Sequence, residues 1–205
     1  MNRLWYTTPA AEYMAGLPVG NGRLAAMVLG DPACERLALN HEWLWRGCHR
    51  FRECPRSAHL LPGVRRLLLA GDLAEGTRQG DWAFGGPGGG HPEHAANRVD
   101  PYQPAGDLYF RPEQGAVTDY RRDLDLDRAL VTIRYQADGT TFRREVLADA
   151  VSGALLVHLS ADRPANGRLI LDRRYDPRCF LKRVAAATAL SLDGQFESEI
   201  GRAHV

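Results

Sequence analysis

The stretch ALVTIRYQADGTTFRREVLA, residues 129–148, decides the fold. Ala129, Val131, Ile133 and Tyr135 alternate with Leu130, Thr132 and Arg134, a period of two that places successive side chains on opposite faces of a strand. Asp138-Gly139 follows, a dipeptide suited to the positive φ angles of a tight hairpin turn, and Thr140 to Ala148 then continues as a second strand. The two pair antiparallel. Outward from this hairpin the same rhythm returns, with Leu155, Val157 and Leu159 sharing one face of the next strand and Arg168 to Asp172 supplying another. Upstream, Arg23 to Gly30 is a short apolar run closed by the turn signal Gly30-Asp31-Pro32, and Glu35 to Asn40 alternates again, which predicts another hairpin.

One segment breaks the period. Leu60, Val64, Leu67 and Leu68 fall near one helical face around the Pro62-Gly63 start, predicting one or two helices within residues 62–80. Residues 82–104, rich in Gly, Pro, His and Asn, read as a long loop. Short strands separated by turn residues specify a mainly β chain, an antiparallel β-sandwich with a short helical insertion.

Composition bounds the function. With 205 residues, 44% hydrophobic and 25% charged, the chain suits one domain or one and a part. A net charge of +1 gives no electrostatic reason to expect nucleic acid or a membrane surface as partner. All but one of the 26 basic residues are arginine, the exception being Lys182, which reads as the coding bias of a GC-rich genome. No run approaches the roughly 18 apolar residues of a membrane-spanning helix. Met1-Asn2-Arg3 leads directly into Leu4-Trp5-Tyr6 without a secretory signal, so a cytoplasmic location is expected for the chain as given, and export if its amino terminus is incomplete. Cys34, Cys48, Cys54 and Cys179 lack paired CxxC spacing and read as free thiols, with a Cys48–Cys54 pair open to an exported protein. Residues 199–205, EIGRAHV, match the translation of a common short-read sequencing adapter. The native domain is therefore expected over residues 1–198, truncated at its carboxyl end.

Several ordered motifs carry a resemblance. LWYTTPAAEYMAGLPVGNGRLAAMVLG (4–30), ERLALNHEWLWRG (35–47), YQPAGDL (102–108), DYRRDLDLDRALVTIRY (119–135) and GTTFRREVLA (139–148) together resemble the amino-terminal domain of glycoside hydrolase family 95, the α-L-fucosidase family. The resemblance implies a β-sandwich of the galactose-mutarotase-like supersandwich type. It also implies a following (α/α)6 barrel of the same polypeptide that holds the catalytic centre, a fucosylated glycan as substrate, and inversion at the anomeric carbon. Where the family commonly has a TLWSGGP-like segment, this sequence has WLWRGCH at 43–49. An α-L-galactosidase of the same family and a standalone carbohydrate-binding module are the alternatives.

Read from the residues, Gly20 and Gly22 flank Asn21 and set a turn into the strand near Arg23. Asn40, Glu42, Trp43 and Trp45 admit two readings. Indole rings offer flat apolar surface and amides orient hydroxyls, so the segment suits the rim of a sugar site; alternatively both tryptophans pack beneath a loop and Asn40 satisfies backbone groups. Asn40, Glu42 and Trp45 are the candidate substrate-binding residues. An inverting glycosidase needs two carboxyl groups about 6.5–9.5 Å apart, and no catalytic residue is assigned, because the resemblance places the acid and base in the barrel. The GGPGGG run at 85–90 lacks the GK[ST] ending of a phosphate loop. His91, Glu93 and His94 lack a further well-spaced ligand, so neither metal nor cofactor is expected. Asp119, Asp123, Asp125 and Asp127 read as a solvated, charge-balanced strand face.

Overall fold

A computed structural model describes residues 2–45, 57–84 and 102–196. The β unit holds strands β1 (Arg3–Tyr6), β2 (Leu17–Gly20), β3 (Leu24–Val28), β4 (Glu35–His41), β5 (Gly106–Pro112), β6 (Val117–Asp125), β7 (Leu130–Ala137), β8 (Thr140–Ala148), β9 (Leu155–Ala161), β10 (Gly167–Asp172), β11 (Cys179–Ala186) and β12 (Ala189–Phe196). They form two five-stranded sheets, ordered β1-β6-β7-β8-β9 and β10-β5-β4-β3-β2, with β11 and β12 as a separate hairpin. Every pairing is antiparallel.

The hairpin at 129–148 is the centre of the first sheet. Val131, Ile133 and Tyr135 are buried against Leu17, Val19, Ala26, Val28 and Leu37 of the second sheet, closing a sandwich core. Asp138 and Gly139 take φ angles of 52° and 69°, the two positive values that match a turn to strand twist. Ala129 is a correction. It has φ 51° in the turn before β7 and does not share the strand's alternation. Around Gly20-Asn21-Gly22, Asn21 Oδ1 accepts the N–H groups of Arg23 and Leu24, while its Nδ2 donates to the Asp149 carbonyl, so the turn is fixed to the other sheet.

The acidic strand differs from its reading. A register shift between Thr118 and Arg121 breaks the spacing, and Asp127 lies beyond the strand. Asp125 is buried, its Oδ1 accepting the N–H groups of Asp127 and Arg128 while Oδ2 pairs with Arg3. Asp123 pairs with Arg121, and Asp119 is exposed. The face is charge-balanced but only partly solvated.

Among the described residues three arginines are buried, and each donates to at least one backbone carbonyl of a neighbouring loop. Arg122 donates to the Thr8 and Ala15 carbonyls, and Arg173 to that of Pro104 and to Gln103 Oε1. Arg144 of β8 crosses between sheets. Its guanidinium donates to the Asp31 and Pro32 carbonyls and the Tyr135 hydroxyl, each at 2.7 Å, and pairs with the buried Glu35 carboxylate at 3.1 Å. Glu35 also accepts the Gly30 N–H at 2.7 Å. Burial pushes its carboxyl above the ordinary value, against the opposing pull of Arg144 and of the Gly30 and Arg36 N–H groups.

The motif around Gly106 is explained by close approach. Gly106 has φ 150°, and a Cβ there would meet the Asp172 carbonyl oxygen at 2.8 Å, so the β5–β10 pairing excludes a side chain. Asp107 then accepts Arg36 Nε at 2.7 Å across the sheet.

Between β4 and β5 in sequence lies the helical unit, with α1 (Leu61–Leu69) and α2 (Leu73–Phe84). Pro62 sits in the first turn of α1, Gly71 breaks the pair with φ 83°, and Asp72 Oδ1 accepts the Glu75 N–H as α2 begins. The helices run four residues further than predicted, and Trp82 to Phe84 are helical rather than loop. Cys34 and Cys179 are free thiols. Cys48, Cys54, the 85–90 glycine run, His91, Glu93, His94 and the 199–205 tail lie outside the described residues. No described helix is long and apolar enough to cross a membrane.

Arg144→Leu leaves Glu35 buried without its counter-charge, and urea unfolding is expected to show a loss of about 3–5 kcal/mol. Adding Glu35→Leu should recover part of that loss. A double variant whose loss equals the sum of the two single losses, Arg144→Leu and Glu35→Leu, would show that the pair is not coupled.

Candidate functional site

The end of β4 builds the site. Glu42 N–H donates to the Arg23 carbonyl, extending the pairing beyond His41 towards the β2–β3 turn. The chain then curls: Leu44 N–H donates to the His41 carbonyl, Leu44 is buried, and its carbonyl accepts the Gln103 N–H at 2.7 Å. With Leu44 inward, the flanking Trp43 and Trp45 point out, 69% and 50% exposed. Both indoles are therefore exposed among the described residues.

Trp45 is exposed yet held. Its indole N–H donates to the Glu42 carbonyl at 2.9 Å, its ring meets Tyr102 edge-on at 5.1 Å, and a backbone bridge joins the same two residues. Tyr102 in turn donates its hydroxyl to the His41 carbonyl at 2.8 Å, and its burial raises the phenol's pKa. Gln103, next in the chain, is buried against Arg173. The YQPAGDL motif thus clamps the Asn40–Trp45 turn from outside.

Asn40 and Glu42 occupy the adjoining surface. Asn40 Nδ2 donates to the Tyr13 hydroxyl at 3.3 Å, not to a backbone group. Glu42 lies 3.5 Å from Arg23 Nε, and the Arg23 guanidinium sits 5.3 Å from the centre of the Trp43 ring. His41 meets Trp43 edge-on. Sequence reasoning missed Tyr13 and Arg23, which come from elements remote in sequence; Tyr102 was within reach through its motif.

Asn40, Glu42 and Trp45 are thus brought into one segment by β4 and its turn. Among the side chains Tyr13, Arg23, Asn40, His41, Glu42, Trp43, Trp45 and Tyr102, Glu42 is the one carboxylate. Proton delivery to and removal from opposite sides of a glycosidic bond requires two. The cluster offers flat apolar surface from indoles, with an amide, a carboxylate and phenols able to exchange hydrogen bonds with hydroxyls. Among the described residues no group of three or more His, Cys, Asp or Glu side chains is placed to hold a metal ion.

Comparison with known proteins meets this geometry. The model for the amino-terminal domain of glycosyl hydrolase family 65 matches residues 4–200. The chain belongs to this family. This glycoside hydrolase amino-terminal domain is also 27% identical over 168 residues to alpha-L-fucosidase 2 of Arabidopsis thaliana, covering 80% of the chain and 19% of that protein. It is 30% identical over 172 residues to the probable alpha-fucosidase A of Aspergillus niger, covering 78% of the chain and 20% of that protein. The domain spans about a fifth of the length of the curated relatives it matches. The matching family is numbered 65, whereas the motifs resemble family 95; a glycoside hydrolase amino-terminal domain is common to both.

Because Trp45 is half exposed, Trp45→Ala should shift the free energy of unfolding by less than about 1.5 kcal/mol, where truncating a buried tryptophan costs about 3–5 kcal/mol. Denaturant midpoints of the two chains measure the difference.

Proposed function

We propose that this domain is the amino-terminal β-sandwich of a family-95-type α-L-fucosidase that removes terminal α-L-fucosyl residues from glycans with inversion. Asn40, Glu42 and Trp45 form part of the rim of its sugar site. The observation that carries the reading is Trp45, exposed but fixed by Tyr102 and the Glu42 carbonyl, on a domain whose two matched relatives are both named as fucosidases. Fucose suits such a surface. Its exocyclic carbon is a methyl group, which an indole face covers without loss, whereas the hydroxymethyl group of galactose brings a polar group that must be desolvated.

The acid and base are supplied by the barrel of the whole enzyme, and the rim orients the substrate. A positioning surface works by holding the glycosidic bond in a reactive geometry, so its loss weakens turnover and leaves the proton-transfer machinery intact.

In the whole enzyme that carries this domain, an aryl α-L-fucoside should be hydrolysed with a higher kcat/KM than the aryl α-L-galactoside, and NMR should show the inverted anomer appearing first. Trp45→Ala should lower kcat/KM for the fucoside about tenfold while the Tm stays near wild type. Preference for the galactoside would overturn the sugar assignment; unchanged kinetics in Trp45→Ala would remove it from the site.

A further inference from the structure

Trp5 and the charged strand at 119–127 are left unused by the rim at Trp45. They meet on the outer face of the first sheet. Cross-strand partners share a face, and the register runs Trp5–Asp123–Thr132–Glu145–His158 across all five strands. A second row runs Arg121–Arg134–Arg143–Ser160. Trp5 is 56% exposed, and the Arg121 guanidinium lies 4.8 Å from the centre of its ring. That guanidinium is fixed by Asp123, which accepts Nε at 3.0 Å and Nη2 at 2.8 Å. Further along, Glu145 pairs with Arg143 and faces His158 at 3.4 Å.

We propose that this face is a saccharide-docking surface for a chain of neutral pyranose residues, with Trp5 as its stacking platform. An exposed indole that is already immobilised loses little rotamer freedom when a sugar ring stacks on it. The charges select the class of partner. Arg121 and Arg143 are each answered by a carboxylate and exposed Arg134 adds one positive charge, so the two rows carry donors and acceptors side by side with a net charge of about +1. A polyanion gains little from a single unbalanced charge beside two carboxylates, while a ring bearing hydroxyls can both donate to and accept from the rows. The span is adequate: five strands about 4.8 Å apart extend ~19 Å across the face. This proposal rests on the carbohydrate reading for the class of partner and on Trp5 for the place.

The test is affinity electrophoresis of this chain in native gels containing one soluble neutral polysaccharide each: a galactan, a mannan, a xylan and a β-glucan. At least one should retard the chain, with Trp5→Ala and Asp123→Asn weakening retention about tenfold. Absence of retardation by all four, or wild-type retardation of Trp5→Ala, overturns the proposal. Should Trp5→Ala lose the wild-type melt, Asp123→Asn decides, and unchanged retention of that variant overturns it as well. Fucoside hydrolysis by the whole enzyme is read separately, so failure of one reading does not imply failure of the other.

Discussion

The sandwich depends on a charge placed where a β core would ordinarily hold a hydrocarbon. Arg144 points from β8 into the space between sheets and donates to two consecutive carbonyls of the 30–35 turn, to the Tyr135 hydroxyl and to the Glu35 carboxylate. A turn leaving a strand edge has carbonyls with no ladder partner, and burying them unpaired is costly. The guanidinium satisfies two at once, and Glu35 balances its charge. Phe110 and Tyr135 cover its faces, with ring centres 5.2 and 5.1 Å away. Through this contact the register of β8 in one sheet is tied to the β3–β4 turn of the other. Gly30 completes the constraint: its φ of 80° and the Tyr120 hydroxyl, only 2.6 Å from where a Cβ would stand, leave room for no other residue.

These physics explain what the sequence makes legible. The 129–148 hairpin is visible because two positions of positive φ and an alternating pattern are local properties, written within a few residues, even though Leu130 and Thr132 are buried as well. The same holds for the β3–β4 hairpin, whereas the pattern leaves the break between α1 and α2 at Gly71 open. Arginine burial is different. In a chain whose basic residues are almost all arginine, composition reads as coding bias, and nothing local distinguishes Arg122, Arg144 and Arg173 from their exposed neighbours. Their role is set by carbonyls more than 60 residues away for each of the three bonds at Thr8, Asp31 and Pro104. The β1 strand, the β5 strand and the β11–β12 hairpin were likewise unread, because their pairing partners rather than their own pattern define them.

The candidate site divides along the same line. The segment Asn40–Trp45 drew attention through residue type, since tryptophans and an amide so close together suit either a core or a ligand. Type could not decide between those. Exposure favours the ligand reading, and it follows from one residue, Leu44, whose inward turn sends both neighbours outward. Tyr13 and Arg23 stand beside the segment only because β2, β3 and β4 pair in order, a consequence of sheet topology that no spacing in the sequence expresses.

On the proposed function, the domain contributes to its parent hydrolase by geometry rather than by reactive groups. An exposed indole on a free loop would collapse onto the protein or sample many rotamers, and ordering it at binding would cost much of what the contact returns. Trp45 escapes this through the Glu42 carbonyl and the Tyr102 ring, and Trp5 through Arg121 and Asp123. Both tryptophans are fixed by neighbours that are themselves fixed, Tyr102 by the His41 carbonyl and Arg121 by a carboxylate. The buried arginines serve the same end one layer deeper. Arg173 holds Gln103, Gln103 holds Leu44, and Leu44 sets the direction of Trp45, so the orientation of a surface ring is traced to a cation in the interior.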